Sequence, residues 1–225
     1  MFPLYDENPT RITPYITYGL IGINVLVFLH ELRLSEAQLD QFLQLYAVVP
    51  RQLTRFPDVE WVTLFTSQFL HGGWWHLASN MLYLWVFGNN IEDRMGHFKY
   101  LIFYLSCGAL AALCQWVIDI NGNIPSLGAS GAIAGILGAY VIRFPRTQVV
   151  TLVFLLFFLT TIRVPALVLI GLFVVNNVVS GLASLQAAAN MSVESGGVAY
   201  WAHIGGFVFG IILGPVFGLF RQDEY

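Results

Sequence analysis

Residues 143–163 read RFPRTQVVTLVFLLFFLTTIR, and how this stretch is taken decides how often the chain crosses a bilayer. Residues 149–159 are almost wholly apolar, yet only 16 residues separate Arg146 from Arg163. The segment is either a seventh span or a loop that dips into the interface, and the basic residues decide between them. With a cytoplasmic N-terminus and no crossing at 149–159, Arg11, Arg94, Lys99, Arg143, Arg146, Arg163 and Arg221 all fall inside. Outside are Arg33, Arg51 and Arg55, and the short outer loops 119–129 and 183–200 carry no Lys or Arg. That distribution follows the positive-inside rule. It predicts six spans, near 15–32, 75–90, 98–118, 130–144, 164–182 and 201–220.

The rest of the chain agrees with a bilayer protein. Of 225 residues, 57% are hydrophobic and 10% charged, with a mean hydropathy of +0.69, where a soluble domain carries roughly a quarter charged residues. A water-soluble globule and a disordered chain are excluded. A net charge of −3 without a basic patch excludes a nucleic-acid binder. The expected class is an all-α polytopic membrane protein: a short cytoplasmic segment 1–14, a membrane domain 15–220 with an outer insert 33–74, and a cytoplasmic tail 221–225. Asp6 and Glu7 precede Arg11, so the start lacks a basic region and the first apolar segment reads as a retained span. In the insert, Ser35 and Gln38 form a capping-box pair ahead of Leu39, Phe42, Leu43 and Tyr46 at helical spacing. This is a surface helix in the interface or a buried packing helix. Cys107 and Cys114, seven apart, share a helix face, cannot bridge, and read as small apolar packers.

Polar groups inside spans are costly and therefore candidates for function. His76 and Asn80 lie on the second span, Asn176 and Asn177 on the fifth, and His203 on the sixth. No mid-span carboxylate supports an ion-coupled transporter or pump, and no metal or cofactor is implied. Ser130 stands where the fourth span begins, after Pro125, in Gly128-Ala129-Ser130-Gly131. Fourth and sixth spans both run from outside to inside, so Ser130 and His203 share one side and one depth. A seventh span would put them a membrane apart. Ser130, Ala134 and Gly138, Gly131, Gly135 and Ala139, and Ala202, Gly206, Gly210 and Gly214 form small-residue seams that let the two helices approach. A hydroxyl within reach of an imidazole is an activated nucleophile, here a Ser130–His203 dyad. His76 and Asn80, at i and i+4, supply donors for a developing oxyanion, with the Ser130 N–H as a third. His71 is off that face and is expected to tie the insert to the membrane surface.

Four strings together resemble the rhomboid intramembrane serine proteases: His71-x4-His76-x3-Asn80, Phe87-Gly88 through Glu92-Asp93-Arg94-Met95-Gly96, Gly128-Ala129-Ser130-Gly131, and Ala202-His203-Ile204-Gly205-Gly206. The resemblance runs from about Trp61 to Gly214. It implies a six-helix core, Ser130 as nucleophile, His203 as base, His76 and Asn80 at the oxyanion, and Glu92 with Gly96 as a structural tie. Implied partners are transmembrane segments of substrates within a lipid bilayer, and the implied location is a bacterial-type cell membrane with both termini cytoplasmic. Two positions depart from the pattern. Ala134 stands where some members carry an aromatic under the base, leaving Tyr200 or Trp201 as guesses for what orients His203. Trp61-Val62-Thr63 lacks the Arg that many members carry beside the first-loop Trp. The alternative is an inactive rhomboid-like protein that binds client helices. The outer loop 186–200 reads as a lid over the site. Cleavage is expected near the outer end of a substrate helix, after a small side chain, with helix breakers downstream.

Overall fold

In the computed structural model, which describes residues 2–155, 158–190 and 199–220, the N-terminal strand β1 (Phe2–Asp6) leads into α1 (Tyr15–Glu31). The insert then holds α2 (Glu36–Tyr46), three short helices α3 (Pro50–Arg55), α4 (Pro57–Glu60) and α5 (Thr63–Thr66), and a 3-10 turn at Ser67–Phe69. Next come α6 (Trp74–Tyr83), a π-turn at Leu84–Gly88, α7 (Asn89–Met95), α8 (His97–Ile118) and α9 (Ser130–Arg143). The strands β2 (Gln148–Leu155) and β3 (Phe158–Pro165) precede α10 (Ala166–Asn190) and α11 (Tyr200–Val216). The chain is thus mostly helical. α8 and residues 166–186 of α10 are long and apolar enough to cross a membrane, while α1, α9 and α11 are apolar but shorter.

α9 is the axis of the structure: every residue from Gly131 to Tyr140 is buried. It packs between α8 and α11, and the small-residue seams explain how. A Cβ on Gly206 would land on the Gly131 carbonyl, one on Gly210 on the Gly135 carbonyl, and one on Gly138 on the Phe207 carbonyl. The α9 and α11 backbones therefore touch directly. On the α8 side Cys107 fills the space beside Gly135, and Cys114 does so beside Gly205 on α11, so both thiols are free and act as packers. Tyr100, Phe103 and Tyr104 of α8, with Phe87 and Tyr140, complete the core.

Glu92 is a tie, as the family resemblance implies. It is fully buried, and its carboxylate accepts the Ile16 and Thr17 N–H groups at 2.9 and 2.8 Å and the Thr17 hydroxyl at 2.7 Å, with His97 Nδ1 at 2.6 Å. α1 has no side-chain cap from its own N-cap, Pro14. Glu92 therefore supplies, from 75 residues away, the acceptors that the first turn lacks. Gly96 turns the chain between α7 and α8 at φ +75, a left-handed conformation that glycine adopts without strain.

The all-α expectation is corrected at one place. Residues 149–155 and 158–159 lie in strands rather than in a loop or a re-entrant helix: β2 and β3 pair antiparallel, and β1 pairs with the other edge of β2 in the order β1-β2-β3. The residues 1–14, read as a short segment, contain that first strand. The cause is composition, because a run of Val, Leu, Phe, Thr and Ile suits a pleated surface better than a helix. Val149, Val150, Thr151 and Val153 of β2 are buried, whereas most of β3 is exposed. Since Gln148 pairs with Pro165 and the Ala166 N–H donates to the Thr147 carbonyl, the β2–β3 pair returns the chain to the end of α9 from which it left. Among the described residues no helix intervenes between α9 and α10.

Boundaries elsewhere shift modestly. The helix read as 164–182 begins at Ala166 and runs to Asn190, taking in the first residues of the segment read as a lid; 191–198 lie outside the described residues. In the insert the Ser35–Gln38 capping box forms, and no residue of α2 is fully buried, so α2 lies on the surface of the bundle.

Candidate active site

Ser130 is the first residue of α9, so its own N–H has no acceptor within the helix. The loop before it is pinned at two points: Val48 and Ser126 exchange backbone hydrogen bonds of 3.0 and 2.8 Å, and the Gly128 N–H donates to the Ser67 carbonyl at 2.8 Å. Gly128 has φ +121, and a Cβ there would sit 2.7 Å from His76 Nε2, so glycine is required on both counts.

His203, in the first turn of α11, presents Nε2 to the Ser130 hydroxyl at 2.7 Å. The contact of the two backbones at Gly131 and Gly206, one and three residues away, brings them together. On its other side His203 Nδ1 lies 2.7 Å from Asn177 Oδ1, and the Phe173 ring packs on the imidazole with centroids 5.9 Å apart. Asn177, rather than Tyr200 or Trp201, is therefore the hydrogen-bond partner of His203 Nδ1. Of the two asparagines singled out in this helix, Asn176 is exposed and Asn177 is buried.

His76 and Asn80 line the same cavity as Ser130 and His203, a space of about 550 Å³ bounded also by Trp75, Tyr83, Ile133, Leu137 and Phe173. The Gly72 N–H approaches His76 Nδ1 at 3.4 Å. With Nδ1 accepting, the ring proton rests on Nε2, which faces Gly128 next to Ser130. His71 does not tie the insert to the surface by its side chain. It is buried, its ring sits 5.0 Å from that of His76, and its Nε2 is 3.0 Å from Asn80 Nδ2. Burial holds its pKa down at about 4, so the ring is neutral at working pH and can accept one Asn80 N–H. The second N–H of that amide is left for a ligand. The His71 N–H in turn donates to the Glu31 carboxylate at 3.3 Å.

The structure therefore brings Ser130, His203, His76 and Asn80 to one cavity, as the helical spacing and depth arguments expect. Asn177 and His71 are the additions. The signal for Asn177 was its place in a span; for His71 it was the shared string with His76 and Asn80. No Asp or Glu lines the cavity among the described residues. The set can activate a hydroxyl, accept its proton and hold an oxyanion with neutral donors.

A family profile for the Rhomboid domain matches residues 58–220. The chain is 30% identical over 221 residues to Rhomboid protein 1, mitochondrial, of Saccharomyces cerevisiae, covering 95% of this chain and 55% of that one. It is 35% identical over 127 residues to Rhomboid protease GluP of Bacillus subtilis (56% and 24% of the two chains). To the human Presenilin-associated rhomboid-like protein, mitochondrial, it is 29% identical over 197 residues (86% and 46%). The chain spans about half, or less, of the length of these curated relatives. With the profile covering the chain from α4 in the insert through α11, the chain belongs to the rhomboid family of integral membrane proteins.

Proposed function

We propose that the protein is an intramembrane serine protease that hydrolyses peptide bonds in or next to transmembrane helices. The observation that carries this reading is the 2.7 Å approach of His203 Nε2 to the Ser130 hydroxyl within a cavity that also holds His76 and Asn80. An inactive client-binding relative has no need of that pair. In the reaction the Ser130 oxygen attacks the scissile carbonyl as its proton passes to His203 Nε2. The oxyanion lies between the free Asn80 N–H, His76 Nε2–H and the Ser130 N–H. His203 then gives the proton to the leaving amine, and the ester on Ser130 is hydrolysed by water whose proton His203 takes and returns to the Ser130 oxygen as it leaves.

The same proposal includes six membrane spans, with the shorter helices α1, α9 and α11 counted among them and both termini cytoplasmic. The cavity then opens to the outer side of a cell membrane, or of the organelle membrane in the case of a mitochondrial or plastid protein. A substrate helix must unwind to reach Ser130, and Gly or Pro lower that cost by roughly 1 and 3 kcal/mol. Cleavage should follow a small side chain near the outer end of the substrate helix.

The test is a reconstituted assay on a single-span substrate together with a fluorophosphonate probe. Wild-type protein should cleave and label at Ser130; Ser130→Ala and His203→Ala should each abolish cleavage, and the double variant should be no worse than either single one. Cleavage by Ser130→Ala at the wild-type rate would overturn the reading.

A further inference from the structure

Resting on the reading of Ser130 and His203 as nucleophile and base, we propose that Asn177 of α10 is a positioning residue that holds His203 in the one tautomer able to accept the serine's proton. Asn177 is 4% exposed and its amide is tied at both ends. Nδ2 donates to the Phe173 carbonyl, one turn earlier in the same helix, at 2.8 Å. A carbonyl can only accept, so this bond commits the nitrogen end of the amide to the helix and the oxygen end to the imidazole. Turning the amide over would set its oxygen against the Phe173 oxygen.

The rest follows from donor and acceptor counting. Asn177 Oδ1, 2.7 Å from His203 Nδ1, has no proton to give, so Nδ1 carries the hydrogen. In a neutral imidazole the other nitrogen is then a bare acceptor, and that nitrogen is Nε2, 2.7 Å from the Ser130 hydroxyl. The opposite tautomer would aim a lone pair at the amide oxygen. A carboxylate in this place would also stabilise the imidazolium by its charge; the amide orients through its dipole alone. The second constraint on the ring comes from the same turn of α10, because Phe173 packs on the imidazole. Ala134, one turn after Ser130 in α9, is buried and offers no ring. The support of the base therefore rests on α10.

Among the described residues, the titratable side chains that line the cavity with His203 are His76 and Tyr83 of α6, beside the Ser130 hydroxyl of α9, while α10 presents only the uncharged Asn177 and Phe173. The experiment uses the whole 225-residue chain labelled with 15N-histidine in bicelles, with His203→Gln as the assignment control. Long-range proton–nitrogen spectra of the wild type should show His203 protonated on Nδ1 and bare on Nε2. Asn177→Leu should mix the tautomers and lower kcat on a model substrate by about 10²-fold, at the low end of what a positioned acid–base group contributes, with KM little changed. Asn177→Asp should recover much of that loss and raise the acid limb of the pH–rate profile by about one unit, since a carboxylate favours the imidazolium. If Asn177→Leu fails to fold, the wild-type spectrum and Asn177→Asp still decide. An Nε2-protonated wild type, an unchanged kcat in Asn177→Leu, or an unmoved acid limb in Asn177→Asp would overturn the proposal. A wild type that holds the Nδ1 proton but cleaves nothing would instead sink the protease reading and leave the positioning role standing.

Discussion

Gly206 in α11 faces the carbonyl oxygen of Gly131 in α9 so closely that a methyl group between them would overlap it. The residue after Ser130 thus abuts the seam of the helix that carries His203, and the hydroxyl–imidazole distance depends on the absence of a side chain.

Gly206→Val should separate the helices. Overpacking typically costs about 1–3 kcal/mol, and here the obstacle is backbone, which cannot rotate away. Thermal unfolding in detergent should drop, and proteolysis should fall further than stability does. Gly171→Ala is the control: it meets nothing within 4 Å and should leave both unchanged.

Asn80→Ala should reduce kcat by about 10²–10³-fold, the usual effect of losing one oxyanion donor. His71→Phe keeps a ring but removes the acceptor for the Asn80 amide. It should reproduce part of that loss with KM unchanged, measured by steady-state kinetics. A His71→Phe variant as active as wild type would show that Asn80 is held by other means.

Glu92→Gln should cost about 1–3 kcal/mol, because an amide cannot accept at both ends from buried donors. The first amides to lose protection from hydrogen exchange should be Ile16 and Thr17, which the carboxylate now accepts. None of Glu92, Ile16 and Thr17 lines the cavity of Ser130 and His203, so activity of the folded fraction should persist.

Asp6 gives a pH dependence. Burial pushes its pKa above the usual value of 3.8, against hydrogen bonds from Tyr140 and Asn90 that pull the other way. A carboxyl whose folded pKa is raised binds protons more tightly in the folded state, so its contribution to stability falls as pH rises through that window. Docking of β1, followed by exchange of its amides, should tighten on mild acidification, and Asp6→Asn should remove the effect.

What could be read from the sequence follows helical periodicity. Four-residue spacings put Gly131, Gly135 and Gly206, Gly210 on edges that meet, and depth along two parallel helices paired Ser130 with His203. Periodicity fails where contacts join distant or irregular segments. β1 pairs with β2 across about 150 residues, and no local pattern at Phe2–Asp6 announces it. His71 lies five residues before His76 in a stretch broken by Gly72 and Gly73, so a helical wheel separates two rings that the loop brings together. Asn176 and Asn177 are neighbours of one type; the face of α10 that each occupies is decided by packing on α11.

The pairing of β1 with β2 also sets an order of events during synthesis. Phe2 and Leu152 are partners, and at roughly 5–20 residues per second the ribosome needs on the order of ten to thirty seconds to deliver the second after the first. Throughout that interval β1 has no strand partner, and its open amide edge is available to any other extended chain nearby. The sheet is thus completed only after α9 has been made, and until then β1 is held by its contacts with Asn90 and the π-turn.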